Sequence, residues 1–132
     1  MGVRLPSVAT APQPAAVTLV TTAETVILTS PPLNLSLDFE QVLLFWWATV
    51  VIGTGTTSVN ILYKRGTTVG GVRINASGVN VQVTAGNTVT LSGCYADVPG
   101  AVAGQQYVVT LTQNAATANG SANDGALIAL AL

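Results

Sequence analysis

The sequence predicts an all-β fold, an antiparallel β-sandwich of about eight to ten strands with jelly-roll topology. Three observations lead to this prediction. Short apolar or alternating segments recur at roughly one per 12 residues, each bounded by Gly, Asn or Ser. Val and Thr dominate these segments, and no segment has helical periodicity. The chain also ends on an apolar strand, as in jelly rolls whose last strand pairs with the first.

The N-terminal residues differ in character from the rest of the chain. Pro6, Pro12 and Pro14 interrupt residues 1–14, which excludes a helix and favours extended backbone. Such a terminal arm becomes ordered only when something holds it. We therefore expect an extended arm that docks on its own domain or on a neighbouring subunit, followed by a single sandwich domain at residues 15–132.

Strands in the first half of the chain are predicted at residues 15–22, 25–30, 33–40 and 42–52. Residues 33–40 alternate apolar and polar side chains, which is typical of a half-buried strand. Residues 42–52 are apolar on both faces, which indicates a central strand. Strands in the second half are predicted at residues 58–66, 68–75, 78–87, 88–95, 107–114 and 125–132, with hairpin turns at 53–57 and 85–87 and a solvated polar tip at Lys64 and Arg65.

The composition excludes two classes of partner. Only 7% of the 132 residues are charged, against about 25% in an ordinary soluble domain, so uncharged polar residues or neighbouring subunits must cover the surface. Four Lys and Arg cannot form a basic face, which excludes nucleic acid as a partner. The longest apolar run, residues 42–52, is about half of a membrane-spanning helix. The proline-interrupted N-terminus does not resemble a secretory signal either. From these two observations we expect no membrane partner.

No arrangement of residues indicates an enzyme, a cofactor or a metal. The chain has no His and one Cys, so neither a Ser–His nor a Cys–His pair can form. Asp38 and Glu40 could in principle form a glycosidase pair, but two acids on the polar side of a strand are typical of a solvated edge. Asp97, Asn123 and Asp124 lack the spacing of a calcium loop. We therefore predict no catalytic, cofactor-binding or metal-binding residues.

Phe45, Trp46 and Trp47 form the one aromatic cluster in the sequence. Because successive side chains of a strand point to opposite faces, Trp46 must point away from Phe45 and Trp47. One of these faces belongs to the core. The other is either a platform for stacking sugars or a subunit interface, where Trp is enriched. The apolar neighbours favour burial against another sheet or subunit.

The C-terminal part of the chain resembles a known group of proteins. The resemblance rests on GQQYVVTLTQ at residues 104–113, the polar loop NAATANGSAND that follows, and the apolar strand that ends the chain. These segments are similar to the last strands of small virion proteins of tailed bacteriophages. That group has TNF-like or other jelly-roll folds and includes head decoration (cement) proteins and fibre or spike heads. The resemblance implies a trimer and an N-terminal arm that grips the shell.

The resulting hypothesis is a structural virion protein, located on the capsid surface, that decorates or cements a bacteriophage capsid as a homotrimer bound to other shell proteins. One alternative is a fibre or spike tip or a carbohydrate-binding β-sandwich module. Another is a self-assembling coat or filament subunit. The predicted interface residues are Val3, Arg4, Leu5, Pro6 and Val8 in the arm, with Phe45, Trp46 and Trp47 for core and inter-subunit burial.

Overall fold

The computed structural model describes residues 7–12, 17–35, 41–75 and 77–132, and within these ranges every regular element is a β-strand. The strands are β1 (Ser7–Pro12), β2 (Val17–Leu19), β3 (Thr25–Thr29), β4 (Leu33–Leu35), β5 (Val42–Val51), β6 (Ser58–Arg65), β7 (Val72–Arg73), β8 (Val79–Gln82), β9 (Thr88–Asp97), β10 (Val102–Gln105), β11 (Tyr107–Gln113) and β12 (Gly120–Ala131). The predicted all-β class is confirmed. Strand β7 is shorter than the strand predicted at residues 68–75, and β10 lies where no strand was predicted.

The strands form an antiparallel jelly roll. In the first sheet β12 lies between β5 and the pair β1 and β2, and β9 lies on the other side of β5. In the second sheet the order is β3-β11-β6, with β7 and β8 both paired to β6. The first sheet thus follows the order β2-β12-β5-β9 and the second β3-β11-β6-β8, which is the interleaved double Greek key of a jelly roll. Strands β4 and β10 form a separate two-stranded ribbon.

Two turns predicted as hairpins connect the two sheets instead. Residues 53–57 lead from β5 in the first sheet to β6 in the second, and residues 85–87 lead from β8 back to β9. Gly55 and Gly86 adopt positive φ angles of 84° and 76°, so the turn chemistry was predicted correctly. The hairpin prediction was wrong because local turn chemistry does not determine which sheet the next strand joins.

The core lies between the two sheets and is built from the inward residues of both. Leu44, Trp46 and Val50 of β5 meet residues such as Ile61 and Tyr63 of β6. A buried amide also contributes to this interior. Gln113 accepts a hydrogen bond from Gly53 N at 2.6 Å and donates to the carbonyls of Leu19 and Thr21 at 3.2 Å each. Gln113 therefore joins the end of β11 to the turn after β5 and to the segment after β2.

The predicted arm is partly incorporated in the domain. Strand β1 pairs with the C-terminal half of β12, from Ser7 opposite Ala131 to Pro12 opposite Ala126. Strand β2 pairs with the N-terminal half of β12. Residues 7–12 therefore dock on their own domain, one of the two places that the sequence left open.

Candidate interaction surface

Strand β5 determines which aromatic side chains reach the surface. Val42, Leu44, Trp46, Ala48 and Val50 are buried against the second sheet. The alternation of a strand then places Phe45 and Trp47 on the opposite, outward face. Their side chains are 42% and 41% exposed, respectively.

Neighbouring strands extend this outward face into a grid of nine positions in three rows across β12, β5 and β9. The rows, from the strand register, are Leu130–Leu43–Ala96, Ile128–Phe45–Cys94 and Ala126–Trp47–Ser92. Residues directly opposite each other in antiparallel strands point to the same face, so these side chains form one surface. We call these nine residues the apolar face.

The apolar face carries no charge, and eight of its nine residues are apolar. Phe45, Trp47 and Ile128 are among the large apolar side chains that are exposed in the described part of the chain. Isolated exposed apolar residues are ordinary, whereas contiguous apolar patches are typical of interaction surfaces. The chemistry of the face suits contact with another apolar surface, because it offers shape and aromatic area and almost no polar groups.

The structure brings together two of the predicted aromatic residues and separates the third. Phe45 and Trp47 share the apolar face, whereas Trp46 is 4% exposed and belongs to the core. The position of Val8 in β1 pairs with Leu130, at the edge of the apolar face. Val3, Arg4, Leu5 and Pro6 lie outside the described residues.

Sequence reasoning did not include Cys94 and Ile128 among the interface residues. Ile128 does alternate with Leu130 in the last predicted strand, which indicates a shared face. The missing information was the register, which places Ile128 and Cys94 on either side of Phe45.

The predicted solvated tip at Lys64 and Arg65 was wrong. Lys64 is 6% exposed, pairs with the Glu24 carboxylate, and donates a hydrogen bond to the Val69 carbonyl. Arg65 forms a bidentate pair with Asp97, with N–O distances of 2.8 and 2.7 Å. Glu24 and Asp97 lie 40 and 32 residues away from their partners along the chain, so no local sequence pattern predicts these ion pairs.

These ion pairs support the fold. Tyr107 Oη donates a hydrogen bond to Asp97 Oδ2 at 2.9 Å, which joins β11 and β6 of the second sheet to β9 of the first. Burial and the neighbouring Asp97 carboxylate raise the pKa of Tyr107, so its hydroxyl remains a donor. The hydrogen bond with Asp97 likewise raises the pKa of Arg65. The side chains of Arg65 and Tyr107 thus both donate hydrogen bonds to the Asp97 carboxylate.

Within the described ranges, no group of three or more His, Cys, Asp or Glu could hold a metal ion. No helix in the same ranges is long and apolar enough to cross a membrane.

The comparisons with known proteins identify the fold. No protein-family model and no curated protein matches the sequence. A chain of the T13 viral particle of infectious bursal disease virus superposes with a TM-score of 0.64 at 8% identity, over 94% of this chain and 31% of that one. VP2 from a subviral particle of the same virus gives 0.63 at 8% identity, over 95% and 32%. Eiger TNF from S. frugiperda gives 0.61 at 10% identity, over 98% and 94%.

This chain spans about a third of the two viral chains and nearly all of the TNF structure. At these identities the likeness establishes a jelly roll shared with proteins of viral particles and with TNF.

Proposed function

We propose that this chain is a structural virion protein that decorates or cements a bacteriophage capsid as a homotrimer. The apolar face is the observation that carries this proposal. A free monomer would expose Phe45 and Trp47 permanently to water, whereas an assembly would cover them. The fold shared with chains of viral particles supports a place in the virion.

Covering the apolar face would supply much of the association free energy. About 40% of an aromatic side chain is roughly 60–100 Å², so burying the exposed part of each ring contributes about 2 kcal/mol. Leu43, Ile128 and Leu130 add further apolar area at the same site. With no charge in the grid, this burial involves no desolvation of an unpaired ion.

The geometry between neighbouring copies decides between a closed ring and a filament. Both assemblies join two different surfaces of each subunit, and a ring forms where the rotation between neighbours closes around one axis. The outward positions of β6 and β8 in the second sheet include Ser58, Asn60, Asn80 and Gln82, which are uncharged and polar. A trimer that packs its first sheets around one axis would cover the apolar face and leave these polar positions in solvent, which is the arrangement we propose.

The arm would attach the ring to the shell. Val3, Arg4, Leu5, Pro6 and Val8 are the proposed docking residues. Since residues 7–12 pair with β12, the segment before Ser7, with Val8 close to it in the chain, is the part that would reach a shell protein. A ligand that binds only the assembled shell stabilises it by mass action, which is how a cement protein would work.

Co-sedimentation with shells assembled from the coat protein of the same virus tests this function. We expect the full chain to pellet with the shells, and a chain lacking residues 2–6 to remain trimeric but stay in the supernatant. Equal pelleting of the two chains would overturn the role of the arm. A stable trimer that never pellets would instead support the fibre or spike tip. Open-ended growth without shells would support a coat or filament subunit.

A further inference from the structure

The outward face of the second sheet carries a second regular grid of side chains, which are polar where those of the apolar face are apolar. Val59, Ile61 and Leu111 are buried in the core. The alternate positions Ser58, Asn60 and Thr112 therefore lie on the outward side of the sheet. In the strand register, Thr112 lies opposite Asn60, and Asn60 lies opposite Asn80. A second row contains Asn114, Ser58 and Gln82, since Asn114 N donates a hydrogen bond to Ser58 O and Ser58 pairs with Gln82. We call these six residues the polar groove.

The polar groove is a concave feature with dimensions suited to an extended ligand. The cavity that these six residues line together with Thr22, Gln113 and Ala115 has a volume of about 530 Å³, within the range of small-molecule sites. Adjacent strands are about 4.8 Å apart, so each row presents three polar side chains over roughly 10 Å. The distance between adjacent strands is close to the length of one pyranose ring, so one sugar ring would lie over each strand. A chain of two or three sugar rings laid across β11, β6 and β8 would meet a new polar side chain at each step.

The hydrogen-bonding groups of the polar groove are uncharged and largely unused. Among its six side chains, the one hydrogen bond formed within the described structure runs from Asn114 Nδ2 to Ser58 Oγ at 3.3 Å. Asn60 Oδ1 has no hydrogen-bond partner among the described residues, but it is buried against Gly78. A ligand would therefore meet the exposed amides of Asn80, Gln82 and Asn114 first. Amide and hydroxyl groups both donate and accept, which matches ligands whose hydroxyl groups also do both. None of the described lining residues is charged.

We propose that the polar groove binds a neutral, hydroxyl-rich ligand, namely a segment of an uncharged glycan. A phosphorylated or sulfated ligand would find no cation there. An apolar peptide would leave the amide groups unpaired, which costs free energy. The groove lies on the sheet opposite the apolar face, so it stays accessible when that face is covered. The inference is independent of the proposed virion function.

Titration of the ¹⁵N-labelled full chain with neutral hexasaccharides tests this proposal. The panel is maltohexaose, cellohexaose, N-acetylchitohexaose and a mannan-derived hexasaccharide, with a sulfated heparin hexasaccharide as the charged comparison. The side-chain NH₂ resonances of Asn60, Asn80, Gln82 and Asn114 report on the groove directly. We expect at least one neutral glycan to shift them with a Kd on the order of 1 mM, and the sulfated one to leave them unchanged.

Two exposed residues of the groove provide the decisive variants. Asn80→Ala and Gln82→Ala should each weaken binding by about fivefold, since each removes hydrogen bonds to the ligand. Thr88→Ala and Thr90→Ala, which change exposed residues of the first sheet, are the matched controls and should leave the affinity unchanged. The proposal is overturned if no neutral glycan shifts these resonances at about 20 mM, or if binding survives both groove substitutions.

Discussion

Gly93 of β9 lies directly opposite Trp46 of β5, and the absence of a side chain at Gly93 makes room for the Trp46 indole. Trp46 Nε1 donates a hydrogen bond to Tyr63 Oη at 2.9 Å, and Tyr63 belongs to the second sheet. The Tyr63 ring also stacks on Tyr95 of β9, with 5.2 Å between centroids. A glycine in one strand thus permits a hydrogen-bonded aromatic bridge between the sheets.

The first prediction concerns this bridge. In Gly93→Ala, the added Cβ would lie 2.7 Å from Tyr63 Oη and 3.0 Å from Trp46 Nε1, so both rings must move. We expect the free energy of unfolding to fall by about 1–3 kcal/mol, as for other overpacked cores. Urea unfolding measures the effect. Ser92→Ala, which changes the neighbouring outward position, is the control, and equal stability of the two variants would contradict the bridge.

The second prediction concerns the buried amide of Gln113. Gln113→Leu keeps the approximate size of the side chain but leaves Gly53 N–H and the carbonyls of Leu19 and Thr21 without this partner. We expect a loss of about 2–4 kcal/mol in the free energy of unfolding, since buried groups would become unsatisfied. Gln82→Leu makes the same change at an exposed site and should shift stability by less than about 0.5 kcal/mol. A Gln113→Leu chain as stable as that control would refute the role of the amide.

The third prediction is a pH dependence set by Glu24. Burial raises the pKa of Glu24, but hydrogen bonds from Lys64 and Thr110 outweigh it and hold the pKa below 4.5. A carboxylate with a lowered pKa in the folded state stabilises the fold above its unfolded pKa, and this stabilisation is lost as the pH falls through the folded value. The wild type should therefore exceed Glu24→Gln in stability most clearly above about pH 5.

Thermal unfolding of wild type and Glu24→Gln between pH 3 and pH 7 measures this difference. The gap should narrow steadily on acidification, and Asp124→Asn, at an exposed acid, serves as the comparison. A gap that stays constant or widens at low pH would mean that the Glu24 pair does not contribute in this way.

The fourth prediction uses Cys94 as a reporter of the apolar face. Cys94 is exposed in the single chain and lies directly opposite Phe45. If neighbouring copies cover this face, the thiol should react with a water-soluble disulfide reagent about tenfold more slowly than the same thiol in a chain whose face is uncovered. The double variant Phe45→Ser, Trp47→Ser should react at the fast rate throughout. Fast, concentration-independent reaction of the wild type would show that the face stays open.

The sequence was sufficient to predict the class of fold and the alternation of β5. It predicted that Trp46 points away from Phe45 and Trp47, but it could not assign the core face, because residues 42–52 are apolar on both sides. The core face of β5 is the face that meets the second sheet. Which face that is depends on how β5 pairs with β9 and β12, whose residues lie about 50 and 80 positions away along the chain.

The polar contacts were beyond local sequence patterns for a related reason. Lys64 and Arg65 look like a solvated pair at a strand end, yet Glu24 and Asp97 reach them through the jelly-roll topology. Gln113 looks like any other polar residue at the end of a strand. Its burial follows from the crossing of three separate segments, and the register that forms the polar groove is equally non-local.

The native mass of the purified chain across a dilution series tests the central claim most directly. Light scattering should give three times the 13.4 kDa chain mass over a wide concentration range. The double variant Phe45→Ser, Trp47→Ser should give a single chain mass with an unchanged β-sheet circular dichroism spectrum. A wild-type mass of 13.4 kDa at every concentration would contradict the assignment of the apolar face as the surface of self-association.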